Sequence, residues 1–128
     1  MSAPTWLSGT VALVVGAFQV LANGALLLRG RTRVPAAVAA EGATTRISNL
    51  LHTAWVYGML GNLCVSVVLL FLVSPLRAGD PLARQLATVI GVYYSALGVS
   101  VFSFAPVRSP GMLIFSGMGL VLLGSLWL

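Results

Sequence analysis

Four long stretches of this chain contain no charged residue at all. They are Met1–Leu28, Ile47–Leu76, Gln85–Val107 and Ser109–Leu128. At 1.5 Å of rise per residue, each stretch is long enough as a helix to cross a hydrocarbon layer of roughly 30 Å. The sequence therefore predicts an all-α membrane protein with four transmembrane helices, at about 5–28, 47–73, 84–105 and 109–128.

The composition favours the same class of protein. Hydrophobic residues make up 59% of the chain and charged residues 7%, whereas an ordinary soluble domain has about 25% charged residues. Four spans leave only short connections within 128 residues. We therefore expect one membrane domain, residues 1–128, and no separate soluble domain.

The arginines predict the orientation of the helices. All seven basic residues are arginine, and five of them lie in the first and third connections while two lie in the second. Because basic residues are enriched in cytoplasmic connections, we expect the first and third connections in the cytoplasm and both termini on the outer side. Trp6 and Trp127 then fall at the same outer interface, where indole rings are favoured.

The same arginines indicate a lipid partner and exclude nucleic acid. They cluster at the ends of spans instead of forming a basic face interleaved with aromatic residues, as nucleic-acid binding would require. Four residues around the first connection are predicted to bind lipid headgroups: Arg29, Arg31, Arg33 and Arg46. The absence of lysine and the bias towards Ala, Gly, Val and Leu indicate a GC-rich genome, so we expect the bacterial inner membrane.

The connections carry recognisable helix-ending and helix-starting residues. The arginine-rich run 29–35 is predicted to end the first helix, with a short surface helix over 36–41. Thr44 or Thr45 is predicted to cap the second helix, and Asp80 to cap the third, before Pro81 at its first position. Prolines on both sides of Arg108 predict a tight turn that makes helices three and four antiparallel neighbours.

Small and polar residues recur at alternating spacings of three and four in every span. This spacing is typical of left-handed helix packing at about +20°, in which glycine and serine allow close approach of the backbones. The sequence therefore predicts a left-handed antiparallel four-helix bundle. The predicted contact stripes are Gly9, Ala12, Gly16, Gln19 and Asn23; Ser48, His52, Trp55, Met59, Asn62 and Ser66; Thr88, Gly91, Ser95, Gly98 and Phe102; and Leu113, Gly117, Leu120, Gly124 and Trp127.

Polar side chains within the spans are the candidate site residues. Gln19, Asn23, His52 and Asn62 are predicted to point inward, because an unpaired amide in hydrocarbon costs several kcal/mol. They would either bond one another between helices or line a site that holds a ligand. His52 is the single imidazole and Cys64 the single cysteine, so we expect no metal, no disulfide, no cofactor and no catalytic residue.

Two classes of function follow from the polar and charged residues. Ion-coupled transport normally needs a carboxylate within the bilayer, but the only acidic residues, Glu41 and Asp80, lie in connections. We therefore expect a non-enzymatic accessory or self-associating subunit, in a homo-oligomer or a larger membrane complex. The alternative is binding of a lipid or small hydrophobic ligand between the helices.

A third alternative comes from the segment Arg46-Ile-Ser-Asn49-Leu-Leu-His52. With its basic first connection, this segment resembles the second helix of the membrane-associated glutathione and eicosanoid metabolism family, which carries arginine, asparagine and an acidic residue. The resemblance implies a membrane-embedded glutathione-dependent transferase in which Arg46 and Asn49 bind glutathione. His52 stands where the acidic residue of that family falls.

Overall fold

The computed structural model describes residues 5–40, 42, 44–104 and 113–128. Over these residues the regular structure is entirely helical, as the sequence predicts. The described residues form five helices: α1 (Thr5–Ala40), α2 (Thr45–Phe71), α3 (Val73–Arg77), α4 (Pro81–Phe104) and α5 (Ile114–Trp127). The predicted turn around Arg108 lies outside the described residues.

The chain divides into two compact units. Unit 1 contains Met1–Gly16 and Val68–Leu128, and unit 2 contains Ala17–Val67. Unit 1 therefore includes the start of α1 and all of α3, α4 and α5. Unit 2 includes the remainder of α1 and most of α2.

The first helix is longer than the sequence predicts. We expected it to end at the arginine-rich run after Leu28, but α1 continues to Ala40 and includes Arg29. The expected end was wrong because the last apolar residue marks the end of a hydrophobic stretch and not of a helix. Arginine and alanine are both good helix formers, and the backbone remains helical even through Gly30 and Pro35, which disfavour a helix interior.

The second helix begins and ends where local chemistry requires. The Thr44 Oγ1 accepts a hydrogen bond from the Ile47 backbone N–H at 3.3 Å, which confirms Thr44 as the N-cap. The helix ends at Phe71. Pro75 lies four residues later and has no N–H to donate to the Phe71 carbonyl, so the chain breaks at Leu72 and continues as α3.

The turn between α3 and α4 contains the C-cap of α3 and the N-cap of α4. The Asp80 N–H bonds the Pro75 carbonyl at 3.0 Å, and the Gly79 N–H bonds the Leu76 carbonyl at 3.1 Å, the two bonds of a Schellman motif. Gly79 has a φ of 79°, which glycine adopts without strain. The Asp80 Oδ1 then accepts from the Leu82 N–H at 2.9 Å, which confirms the predicted N-cap of α4.

Helices α4 and α5 pack against each other in antiparallel orientation within unit 1. The Ser116 Oγ donates to the Ser95 carbonyl at 2.8 Å, and the Trp127 Nε1 donates to the Thr88 Oγ1 at 2.8 Å. The later residue of α5 thus contacts the earlier residue of α4, as in an antiparallel pair. This orientation confirms the prediction that the two helices are antiparallel neighbours.

The α4–α5 contact depends on residues without side chains. A Cβ on Gly98 would lie 2.5 Å from the Ser116 backbone nitrogen, and a Cβ on Gly119 would lie 2.5 Å from the Gly91 carbonyl oxygen. Real Cβ atoms do not approach backbone atoms that closely. The two backbones therefore approach as near as they do because both helices carry glycine at the contact.

The predicted contact stripe of α5 is wrong except at Trp127, which contacts Thr88 of α4. Gly117 and Leu120 are exposed, and a Cβ on Gly117 would meet nothing within 4 Å. The buried face lies one to two residues away in sequence, and its members are Ser116, Gly119, Leu122, Ser125 and Leu126. Helix α5 is apolar on every side, and glycines occur both in the predicted stripe and on the buried face. Spacing alone therefore did not identify the face that meets α4.

Candidate functional site

Three of the four predicted site residues meet within unit 2. Gln19 and Asn23 are fully buried and Asn62 is 4% exposed. The Asn23 Nδ2 donates to the Gln19 carbonyl at 2.7 Å and to the Gln19 Oε1 at 3.0 Å. From α2, the Asn62 Nδ2 donates to the Asn23 Oδ1 at 3.4 Å. We call these three residues the amide cluster.

The amide cluster extends by one hydroxyl that was expected in the contact stripe but not among the site residues. Ser66 is fully buried, and its Oγ donates to the Asn62 carbonyl at 2.7 Å. It lies one turn after Asn62 on the same face of α2. Its spacing from Asn62 was the signal that could have assigned it to the cluster.

His52 lies apart from the amide cluster along its own helix. It precedes Asn62 by ten residues, which is about 15 Å of helix rise. Its ring stacks on that of Trp55 with centroids 6.4 Å apart and an interplanar angle of 22°. The His52 Nε2 is buried and has no hydrogen-bond partner among the described residues.

The four arginines predicted to bind headgroups belong to unit 2. Arg29 and Arg46 are exposed, which headgroup binding requires but does not establish. The side chains of Arg31 and Arg33 lie outside the described part of the chain. Headgroup binding by these four residues therefore stays a prediction.

A polar cavity lies in unit 1, beside the turn that joins α3 to α4. Its volume is about 180 Å³, which exceeds the roughly 30 Å³ that one water molecule occupies in the liquid. The lining combines two hydroxyls, one carboxylate and one guanidinium with two leucines and a glycine: Thr5, Ser8, Leu76, Gly79, Asp80, Arg84 and Leu126. We call it the α3–α4 cavity.

The lining residue Arg84 is held in place by Trp127. The Arg84 guanidinium carbon lies 3.8 Å from the centre of the Trp127 ring, a cation–π distance. Thr88 holds that ring, because its Oγ1 accepts the indole N–H and donates to the Arg84 carbonyl at 2.7 Å. Arg84 is thus oriented by α5 and anchored on α4.

Sequence reasoning missed Arg84 as a site residue and treated it only as a topology signal. The predicted antiparallel hairpin could have identified Arg84, because it brings the C-terminal end of α5 beside the N-terminal end of α4. Arg84 and Thr88 lie one turn apart at that start. A C-terminal tryptophan opposite an arginine was the pattern to examine.

The described residues offer no metal centre. They contain no group of three or more His, Cys, Asp or Glu side chains arranged to hold an ion. Cys64 is exposed and free. What they do offer is hydrogen bonding and charge: carboxamides in the amide cluster and a guanidinium beside a carboxylate in the α3–α4 cavity.

Comparison of the chain with protein-family models, with curated proteins and with solved structures gave no match. The chain is all-helical over its described residues, and two helical segments are long and apolar enough to cross a membrane. They are Thr5–Arg29, with 25 residues, and Thr45–Arg77, with 33 residues.

Proposed function

We propose that this chain is a multi-pass integral membrane protein without enzymatic activity, which self-associates through an exposed face of α2. One observation supports the membrane most strongly: many large apolar side chains are exposed, and several polar side chains are buried together with the apolar core. The buried polar residues are Ser8, Gln19, Asn23, Asn62, Ser66, Ser116 and Ser125. The most exposed large apolar residues of the first two helices include Leu21, Leu28, Leu50, Tyr57 and Phe71.

The exposed part of this distribution is not the one that water favours, although Leu69, Leu72 and Leu122 are buried as they would be in a soluble protein. A soluble protein buries its leucines and rarely exposes a large contiguous apolar surface. In each of the two long apolar segments, only 28% of the most apolar window is buried, whereas the core helix of a soluble protein is mostly buried. Lipid around these helices accounts for both facts.

The proposal keeps the predicted arrangement of four spans in a left-handed antiparallel bundle with both termini outside. Helix α1 has 36 residues, or about 54 Å, and would therefore extend past the hydrocarbon layer on the cytoplasmic side. Arg29 lies where the apolar part ends. Helix α5 has 14 residues, or about 21 Å, so the fourth span would need the preceding residues 109–112 as well.

Self-association is proposed for one particular face of α2. Ala54, Gly58 and Gly61 follow the three-four spacing and are all exposed, and a Cβ on either glycine would meet nothing within 4 Å. Glycine destabilises a helix by about 1 kcal/mol relative to alanine, with no gain within this chain. Close approach of a second helix would compensate for that cost, and a two-fold dimer is the commonest assembly.

The membrane part of the proposal is tested by flotation with liposomes. We expect the chain to float with the vesicles after extraction at alkaline pH and to precipitate when detergent is removed. A chain that stays dispersed and helical in buffer without detergent would contradict the membrane assignment. That outcome would also remove the predicted sidedness.

The self-association part is tested by measuring mass in detergent. We expect two copies per particle, and we expect a bismaleimide to link the exposed Cys64 thiols of the two copies. Gly58→Leu should reduce the dimer fraction at least tenfold, because leucine holds the helices apart. Gly117→Leu is the matched control, since that glycine is also exposed and open. A monomer at every concentration would overturn the dimer.

The resemblance to the glutathione-dependent family gains no further support from the described residues. Arg46 and Asn49 are both exposed, and neither lines the α3–α4 cavity. Glutathione chemistry therefore stays a prediction from one short segment. Binding of a lipid, the other alternative, is supported by the α3–α4 cavity, as argued below.

A further inference from the structure

The α3–α4 cavity contains a charged group whose hydrogen bonding is incomplete. The Arg84 Nε is buried and has no partner among the described residues, while the guanidinium is held against Trp127. A buried N–H of a charged group is costly to leave without an acceptor. The described residues therefore leave this N–H of Arg84 without an acceptor.

The rest of the lining limits what that acceptor can be. Thr5 and Ser8 contribute hydroxyls, and the Ser8 Oγ donates to the Thr5 carbonyl at 3.0 Å. Asp80 contributes a carboxylate, of which one oxygen is used in capping α4. The cavity thus presents one positive and one negative group, which disfavours a purely anionic ligand and favours a zwitterion.

We propose that the α3–α4 cavity binds a phosphoethanolamine group, with the phosphate on Arg84 and the primary ammonium on Asp80. A guanidinium donates in a planar fork that matches phosphate oxygens, and an ammonium carries three donors suited to a carboxylate. Asp80 and Arg84 are one helical turn apart, or about 6 Å between Cβ atoms. A two-carbon linker between phosphate and ammonium can bridge that distance.

A phospholipid headgroup is the expected source of the group, and this assignment rests on the membrane location proposed above. Trp127 and Leu128, which follow the lining residue Leu126 directly, are exposed apolar residues at the same end of α5. Two buried leucines in the lining offer contact to the linker carbons. The acyl chains would then lie along the outside of α5 in the bilayer.

The test is native mass spectrometry of the full chain released from detergent. Phosphatidylethanolamine and phosphatidylcholine with identical acyl chains are added at equal concentration. Asp80 accepts hydrogen bonds from a primary ammonium but not from a trimethylated one, so we expect at least tenfold more bound phosphatidylethanolamine. Equal binding of the two lipids would overturn the proposal.

Two variants test separately the contact of Arg84 with the phosphate and the contact of Asp80 with the ammonium. Arg84→Gln should lower the binding of phosphatidylethanolamine at least tenfold, whereas Arg77→Gln, which changes an exposed arginine outside the lining, should not. Asp80→Asn should remove the preference over phosphatidylcholine. Asparagine is as good an N-cap as aspartate, so this variant tests recognition even if Arg84→Gln fails to fold. Unchanged preference in Asp80→Asn would overturn the proposal.

The phosphoethanolamine group could come from a phospholipid or from the free compound, and competition with free phosphoethanolamine distinguishes the two. With a lipid as the source, a millimolar concentration should not displace bound phosphatidylethanolamine, because it lacks the acyl chains. Full displacement would overturn the lipid source. If the unaltered chain floats with liposomes but shows no preference between the two lipids, this inference alone is refuted, whereas failure of the unaltered chain to float refutes the proposed membrane location.

Discussion

Two helix contacts in this molecule are built by opposite means. In unit 1, α4 and α5 meet where side chains are missing, at Gly91, Gly98 and Gly119. In unit 2, α1 and α2 meet where polar side chains are present, through the bond between Asn23 and Asn62. The first contact depends on backbone proximity and the second on hydrogen bonding.

The difference shows which contact is more sensitive to sequence. Close backbone contact tolerates no added atom, because no side-chain rotation relieves a clash with a neighbouring backbone. An amide pair loses one hydrogen bond when a partner is changed, and such bonds within membranes are worth about 0.6 to 2 kcal/mol. We therefore expect the glycine contact to be the more easily broken.

Gly119→Leu should have the largest effect and would break the glycine contact outright. A Cβ at this position lies 2.6 Å from the Ser95 backbone nitrogen, so α4 and α5 must separate. We expect the free energy of unfolding in detergent to fall by about 3 kcal/mol, measured by circular dichroism. Gly117→Leu is the control, because open space surrounds it. Equal losses in the two variants would refute the close contact.

Asn23→Leu should have the next largest effect and would test the amide cluster. The change keeps the branching and the number of side-chain heavy atoms but removes the amide to which both Gln19 and Asn62 are bonded. We expect a loss of about 1 to 2 kcal/mol in a detergent denaturation titration, and almost none for the exposed Asn49→Leu. A gain in stability would instead indicate that the cluster is retained to bind a ligand.

Thr88→Val should have a smaller effect and would sharpen the comparison within unit 1. It removes the acceptor of the Trp127 indole N–H while keeping the shape of the side chain. We expect a loss of about 1 kcal/mol and a change in indole fluorescence. Thr53→Val is the matched control, because the Thr53 Oγ1 bonds only the Asn49 carbonyl of its own helix. The control should leave the fluorescence unchanged.

Gly117→Ala should have the smallest effect, and of opposite sign. Alanine is favoured over glycine in a helix by about 0.5 to 1 kcal/mol, and nothing obstructs a Cβ here. We expect stability to rise by that amount, measured as a higher melting temperature in detergent. Gly98→Ala should lower it, since its Cβ would meet the Ser116 backbone. A rise in both variants would contradict the described register of α5.

Local chemistry was predictable from the sequence wherever a few adjacent residues decide the outcome. The caps at Thr44 and Asp80 are examples, because an N-cap depends only on the next two or three backbone N–H groups. The buried face of α1 was also predictable. Its residues Gly9, Ala12, Gly16, Gln19 and Asn23 are all buried, since small and polar residues occur on that side of an otherwise apolar helix.

Features that depend on a neighbouring helix were harder to predict. The register of α5 is decided by what Ser116 and Gly119 meet on α4, and an apolar helix carries no periodic signal of that choice. The α3–α4 cavity likewise combines Thr5, Asp80 and Arg84, which are far apart in the chain or lie in different elements. The polar pattern identified the amide cluster because carboxamides are rare in apolar helices.

The closed turn between α3 and α4 has a consequence for how the chain is made. Its capping bonds all join residues within the segment 75–82, so none of them needs a distant part of the polypeptide. The reversal can thus form as soon as this segment is free to fold, before α5 has packed against α4. Helix α4 would then begin from a turn that is already fixed, and α5 would be the last helix to pack against it.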